Sequence, residues 1–278
     1  MTRWSVLRAW TGVLLPVAAV VAIVLGALAN ADRSVSAAAG VLAGTVVLLG
    51  LTWVAVRSES IVLEAVSATT LTPAEAPDLV DTVAATARRL RIAPPRLAIS
   101  RTSTPFALVA GRSRSRTTLC VSSGLIADLD ADGLLTVVTH QLTYAAGPVV
   151  GPRTVASAWA ARLLAATDSS ALSLFNPVGL LARRLGVTAA QQTEVDAHTT
   201  RSMVDSDALP RLLARLDARI GRHPLPPTGP LVAVAGLMTT SPFGNDVRAA
   251  QLAGQPDTRA RLLLLEQSAV RGLGQGQR

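Results

Sequence analysis

The side chain best suited to chemistry is the imidazole of His140, in the segment Thr139-His140-Gln141-Leu142-Thr143-Tyr144. An imidazole can ligate a metal ion, but a zinc site needs three or four strong donors around one ion. The neighbours Gln141 and Tyr144 are weak in this respect, because an amide takes up no proton at neutral pH and a phenol titrates near pH ~10. One imidazole in this setting is therefore not expected to hold zinc or to activate water.

The other residues with reactive side chains have ordinary structural explanations. His198 and His223 are expected to be surface or structural histidines. Cys120 lies in an apolar, strand-like segment and is expected in the core, and as the single cysteine it can form no internal disulfide. Ser122 and Ser123 lack the G-x-S-x-G context that exposes a nucleophilic serine.

A helix from about residue 131 to 146 carries His140, and carboxylates near its start favour the helix dipole. Before it, two short strands are predicted, at residues 97–100 and 117–122, and residues 106–110 between them could form a third. The Arg/Ser stretch 112–116 is predicted to be an exposed hairpin turn.

A second helix is predicted upstream, where Thr72 and Glu75 match a capping box and Pro73 suits the first helical position. Pro77 fits less well inside that helix, so its start can also lie nearer to Pro77. Its apolar face is expected to comprise Val80, Val83, Ala84, Ala87 and Leu90.

Further helices are predicted downstream. They occupy residues 187–206 and 207–221, and prolines mark a loop between 224 and 230. Residues 145–185 are apolar but interrupted by charges, which favours a helical pair in the core or at a membrane interface.

Two uncharged runs near the N-terminus, residues 9–31 and 34–56, are each 23 residues long. As helices they would reach about 34 Å, enough for a hydrocarbon core of ~30 Å. Arginines flank the outer ends of the pair, so the positive-inside tendency predicts a hairpin with both ends in the cytoplasm. A cleaved signal peptide is the alternative, since Ala29-Asn30-Ala31 is an acceptable cleavage site.

The net charge of +8 comes from 26 basic residues, all arginine, against 18 acidic ones. A basic surface can bind nucleic acid or anionic lipid. The tightest group, Arg112, Arg114 and Arg116, has no aromatic neighbour on which bases could stack. We therefore expect no nucleic-acid partner.

The order of these segments resembles the HtpX-like membrane zinc metallopeptidases, which include the CAAX-prenyl proteases. A membrane hairpin and a capped helix are followed by TPFALVAG (104–111) and VSSGL (121–125), similar to the family's N-A-F-A-x-G and V-T-x-G-L segments. The helix with His140 then stands at the family's H-E-x-x-H motif. QQTEVD (191–196) resembles the family's R-E-x-x-A-D, and QPDTRARL (255–262) its C-terminal H-P-x-x-x-x-R segment.

The resemblance assigns a role to each matching position. His140 matches the first zinc ligand, Gln141 the general-base glutamate, and Tyr144 the second histidine ligand. Gln192 matches the third ligand and Asp196 the family's aspartate, which could approach His140. Only His140 and Asp196 keep the family's residue types, so the resemblance implies a degenerate zinc site.

The fold class expected is α+β: a mostly helical metallopeptidase-like domain with a small antiparallel sheet, preceded by a two-helix transmembrane hairpin. The hairpin would occupy residues 1–57, the domain 58–270 and a flexible tail 271–278. The protein is expected in the plasma membrane as a multi-pass protein, with the bulk of the domain cytoplasmic.

The function expected is that of a pseudopeptidase, which binds or regulates a protein partner at the membrane and has no cofactor. In the family it resembles, an extended substrate pairs with an edge strand, and here residues Thr117, Leu119 and Val121 are expected to lie on that strand. One alternative is an active zinc metalloendopeptidase with an atypical site, and another is a structural membrane protein without a ligand.

Overall fold

The structure, a computed structural model, describes residues 33–167, 189–203, 205–244, 246, 249 and 258–275. In this part of the chain a small sheet is surrounded by helices. The strands are β1 (Ala68–Thr70), β2 (Arg96–Ser100), β3 (Ala107–Ser113) and β4 (Arg116–Ser122). The helices are α1 (Arg33–Ala65), α2 (Pro77–Arg89), α3 (Ser123–Asp128), α4 (Ala131–Ala146), α5 (Val150–Thr167), α6 (Ala189–Ser202), α7 (Ala208–Ile220), α8 (Gly229–Ala235) and α9 (Thr258–Gln275). The expected α+β class is confirmed.

The sheet is mixed, with strand order β1-β2-β4-β3. β1 and β3 run antiparallel to their neighbours, whereas β2 and β4 are parallel. The expectation of a purely antiparallel sheet is therefore wrong at one pair. The reason is that the chain reverses from β3 into β4 through a hairpin, and β4 then lies between β3 and β2. Since β3 runs opposite to β2, β4 runs in the same direction as β2.

β4 is a central strand, which corrects the prediction that Thr117, Leu119 and Val121 form an edge. Leu119 pairs with Leu97 of β2 on one side and with Val109 of β3 on the other. A strand whose backbone groups are used on both sides cannot accept a further strand. The edge beside α4 belongs to β3, where Leu108 forms an isolated bridge with Met238.

The predicted hairpin turn is confirmed between β3 and β4, where Ser113 pairs with Arg116 and residues 112–116 are exposed. The start of α5 packs closely against this hairpin. A Cβ atom at Gly151 would lie 2.5 Å from the backbone oxygen of Arg112, so no larger residue fits at this contact.

The helix that carries His140, α4, has the predicted bounds and is buried along most of its length. The Asp130 side chain accepts a hydrogen bond from Gly133 N, 3.0 Å, and so caps its N-terminus. α4 packs against β3, α2, α6 and α7. It is therefore the central element of the domain, and its side chains contact both the sheet and the other helices.

The helix before the sheet begins at Pro77, the later of its two possible starts. Thr72 N does donate to Glu75 Oε2, 2.7 Å, but this capping interaction closes a turn rather than a helix. Of the predicted apolar face, Val83 and Ala87 are buried, together with Leu79.

The expected membrane hairpin is only partly within the described residues. The first run, 9–31, lies outside them, and the second, 34–56, belongs to α1. Among the described residues, no helix combines the length and apolarity needed to span a bilayer.

Downstream, α5 confirms a helix in the first half of the segment 145–185, and residues 168–188 lie outside the described part. α6 and α7 lie within the two predicted helices 187–206 and 207–221. Pro230 belongs to the first turn of α8 rather than to the loop before it. α9 continues to Gln275 and so overlaps the expected flexible tail.

Candidate functional site

His140 projects from the middle of α4 toward α6, where its Nε2 lies 2.8 Å from Asp196 Oδ1. Both side chains are almost fully buried, at 2% and 1% exposure. The expected approach of Asp196 to His140 is thus confirmed. Since an ionised carboxylate only accepts hydrogen bonds, Nε2 is the nitrogen that carries the proton and donates. The lone pair of the imidazole is then on Nδ1, which has no partner among the described residues.

Asp196 is also held by Arg261 of α9 in a two-pronged ion pair. Arg261 Nε donates to Oδ2 at 2.9 Å, and Nη2 donates to Oδ1 at 2.7 Å. Burial would raise the pKa of Asp196, but the hydrogen bonds and charges of His140 and Arg261 outweigh it and lower the pKa to about 2. The carboxylate is therefore ionised throughout the physiological range.

Gln141 links α4 to the edge of the sheet. Its amide Nε2 donates to Ala107 O of β3 at 3.1 Å and to Thr239 Oγ1 at 2.8 Å. Thr239 N donates to the same carbonyl at 2.9 Å. Arg261 joins this segment as well, because its Nη1 donates to Thr239 O at 2.6 Å. A single buried network therefore connects α4, α6, α9 and β3.

Tyr144 lies one helical turn after His140, on the same face of α4, and is also buried. The guanidinium carbon of Arg153, from α5, stands 5.6 Å from the centre of the Tyr144 ring. Burial raises the pKa of Tyr144, opposed by the charge of Arg153 and by the approach of its guanidinium to the phenol oxygen, so the phenol stays protonated at neutral pH.

Several buried polar atoms near this face have no hydrogen-bond partner among the described residues. They are His140 Nδ1, Gln141 Oε1, the Tyr144 hydroxyl and Arg153 Nη1. Burying such atoms without a partner costs free energy.

The residues at the implied zinc position do not fit the ion. Gln192 is buried in α6, one turn before Asp196, and offers a neutral amide. Within the described residues, no three His, Cys, Asp or Glu side chains lie together as a metal-binding group. His140 can offer one nitrogen, Nδ1, and Asp196 is already held by His140 Nε2 and by Arg261. A tetrahedral zinc site needs at least three such ligands.

The remaining candidate residues are either exposed or held in the core. His198, His223 and Glu194 are exposed, as expected for the two histidines. Cys120 is fully buried, and burial raises the pKa of its thiol to about 12, which confirms its place in the core. Ser122 Oγ accepts hydrogen bonds from Phe106 N and Leu125 N and thereby caps α3.

Sequence reasoning missed three residues that the structure brings to the site: Arg261, Thr239 and Arg153. Arg261 lies in the segment QPDTRARL that carries part of the resemblance, so a signal for it was present. Thr239 and Arg153 belong to no segment that was singled out. Their roles arise from contacts between α4 and distant parts of the chain.

Several known proteins that share one name are similar in sequence to this chain. The chain is 28% identical over 274 residues to a protein named Protease HtpX homolog from Pseudarthrobacter chlorophenolicus, covering 91% of this chain and 93% of that protein. The protein of the same name from Paenarthrobacter aurescens is 25% identical, covering 78% of this chain and 81% of its own length. That from Thermococcus sibiricus is 24% identical, covering 76% and 80%. No family model and no solved structure matches the chain.

Proposed function

Since the chain belongs to the HtpX-like family of proteases, we propose that it is a membrane-anchored member that does not cleave and instead binds a protein partner. The observation that carries this proposal is the set of side chains at the implied zinc position, where His140 is accompanied by the uncharged Gln141, Tyr144 and Gln192. The nearby Asp196 carboxylate is paired with the Arg261 guanidinium and with His140 Nε2, which leaves Nδ1 as the one ring nitrogen of His140 without a partner among the described residues.

The implied chemistry requires a zinc-bound water and a base that takes its proton. Gln141 stands at the position of that base, and its amide nitrogen faces the Ala107 carbonyl as a donor. A side chain with this orientation bridges two elements, and its amide oxygen is too weakly basic to accept a proton from water. The geometry is therefore that of a side chain that connects α4 with β3, and not that of a catalytic base.

A binding role is supported by what remains of the framework. The buried part of α4 with His140, Gln141 and Tyr144 is still built from polar side chains, although buried polar groups cost stability unless they are satisfied. Four atoms on or beside this face have no partner among the described residues. A ligand that reached these atoms would satisfy their hydrogen bonds.

The membrane anchor is supported by the surface of α1. Leu48, Leu49, Trp53 and Val56 are each more than half exposed, at 63%, 64%, 52% and 54%. They lie within the uncharged run 34–56. Retention of the full chain in alkaline-washed membranes tests the anchor, and release into the supernatant would contradict it.

Metal analysis of the detergent-purified full chain tests the loss of catalysis. We expect far less than one zinc per chain after equilibration with zinc and desalting, and no chelator-sensitive cleavage of casein. Stoichiometric zinc with chelator-sensitive cleavage would establish the alternative, an active metalloendopeptidase. The His140→Ala variant is the control that locates any bound zinc, because it must lose zinc that is held at this site.

A gain-of-function variant tests whether Gln141, Tyr144 and Gln192 occupy the positions of the family's general base and zinc ligands. We expect the triple variant Gln141→Glu, Tyr144→His and Gln192→Glu to bind zinc, and to lose it when His140→Ala is added. The surface variant His198→Ala in the same background must leave zinc binding unchanged. A folded triple variant that gains no zinc would show that these residues do not occupy the positions that the family resemblance assigns to them.

A further inference from the structure

Arg153 is an unusual residue in the core because it is charged, 4% exposed and without a carboxylate partner in any ion pair between described residues. Its Nη1 has no hydrogen-bond acceptor there. A buried guanidinium is normally paired, since desolvating a lone charge is costly. The ring of Tyr144 offsets part of this cost through its negative face, and the guanidinium also approaches the phenol oxygen, but Nη1 itself has no acceptor among the described residues.

The Tyr144 hydroxyl is the second unused group at the same place. It is buried, its oxygen faces the Arg153 guanidinium, and its proton has no acceptor among the described residues. A protonated phenol is a good donor to an anion. The two side chains thus present one positive charge and two unused donor groups, an N–H and an O–H.

We propose that Arg153 and Tyr144 form a binding site for a carboxylate. A carboxylate has two oxygens for the two donors, and its single negative charge balances the single guanidinium. A phosphate dianion would leave an excess negative charge in a buried site and would have oxygens without donors. The proposal rests on the proposed function, because it takes zinc to be absent from this part of the protein. It assigns an anion to the site in place of the cation.

The carboxylate comes from the partner, as the C-terminal group of a peptide chain. The site lies one turn from His140 on the face of α4 that the binding role uses. A free carboxylic acid shares the same chemistry, so the experiment must distinguish the two sources.

Acetate is the first probe. We expect the midpoint of thermal unfolding of the full chain in detergent to rise by about 2–5 °C more in sodium acetate than in sodium chloride of equal ionic strength, at roughly ten times the dissociation constant. The extra rise must be lost in Arg153→Met and reduced in Tyr144→Phe, which keeps the ring and removes only the hydroxyl. If Arg153→Met does not fold, Tyr144→Phe still tests the site.

Arg162→Met is the matched control variant. Arg162 also stands over an aromatic ring, 5.9 Å from the centre of Trp53, but its side chain is 41% exposed and paired with Glu64. This variant must respond to acetate as the native protein does. An equal response to acetate and chloride, or an acetate response that persists in Arg153→Met, would overturn the proposal.

Hexaalanine with a free C-terminus and its C-terminal amide then separate the two sources. Binding of the acid at least tenfold tighter than the amide, lost in Arg153→Met, supports a peptide terminus. An acetate effect without any preference for the acid peptide would overturn that source and assign the site to a small free acid. Zinc content is measured separately, so failure of this inference and failure of the proposed function give different results.

Discussion

The ion pair between Asp196 and Arg261 provides a quantitative test of the network. In Asp196→Asn the carboxylate that accepts three hydrogen bonds, at 2.7, 2.8 and 2.9 Å, becomes an amide with one acceptor oxygen. The amide NH2 would then face a donor of Arg261 or His140. Arg261, with 3% of its side chain exposed, would be left as a buried charge without a counterion.

Breaking one side of a buried ion pair costs about 3–5 kcal/mol. For a protein of this size that corresponds to a fall of about 6–20 °C in the unfolding midpoint. The matched control is Asp205→Asn. Asp205 pairs with Arg211 on the surface, where the two side chains are 51% and 68% exposed, so the loss should stay below about 1 kcal/mol.

The measurement is unfolding of the full chain in detergent, followed by tryptophan fluorescence, with the two asparagine variants side by side. A difference of at least about 2 kcal/mol between them is expected from the two ranges. Equal stability of Asp196→Asn and Asp205→Asn would show that the network does not hold α4, α6 and α9 together.

Three further outcomes follow from the same contacts. Gln141→Glu should destabilise the protein by about 2–4 kcal/mol, because a carboxylate cannot donate a hydrogen bond to the Ala107 carbonyl. The control Gln267→Glu, at an exposed position, should change stability by less than about 0.5 kcal/mol. Equal unfolding midpoints for the two variants would contradict this prediction. The lowered pKa of Asp196 contributes stability above pH ~4 that is lost as the pH falls toward 2, so the gap between native protein and Asp196→Asn should narrow over this range in acid unfolding, and a constant gap would refute it. Cys120 should resist iodoacetamide until the protein unfolds, since it is buried and its pKa is about 12, and rapid labelling of the folded chain would show otherwise.

The local parts of the fold were predictable because their signals lie within a few residues. α4 has the predicted bounds, since Asp130 caps its start and Gly147 follows its end. The β3–β4 hairpin follows from its Arg/Ser turn. Gln192 and Asp196 fall on one buried face of α6 because they are one turn apart.

The pairings between distant segments were not predictable in the same way. The order of strands in a sheet depends on the packing of the whole domain, so β4 was mistaken for an edge. Arg261 reaches Asp196 across 65 residues, and Thr239 reaches Ala107 across 132. No local pattern encodes which charge meets which carboxylate, although the presence of a buried acid predicts that some cation must neutralise it.

A count of buried charges connects the two proposals. Asp196 and Arg261 cancel, which leaves the single positive charge of Arg153 in the buried cluster. A zinc dication bound here would raise the buried charge to plus three, with two uncharged amides and a phenol as the added ligands. A carboxylate would instead bring the total to zero. The electrostatic environment that opposes a metal ion is thus the one that favours an anion. Absence of zinc is the outcome that the proposed function requires, and acetate binding is the additional outcome that the carboxylate site requires.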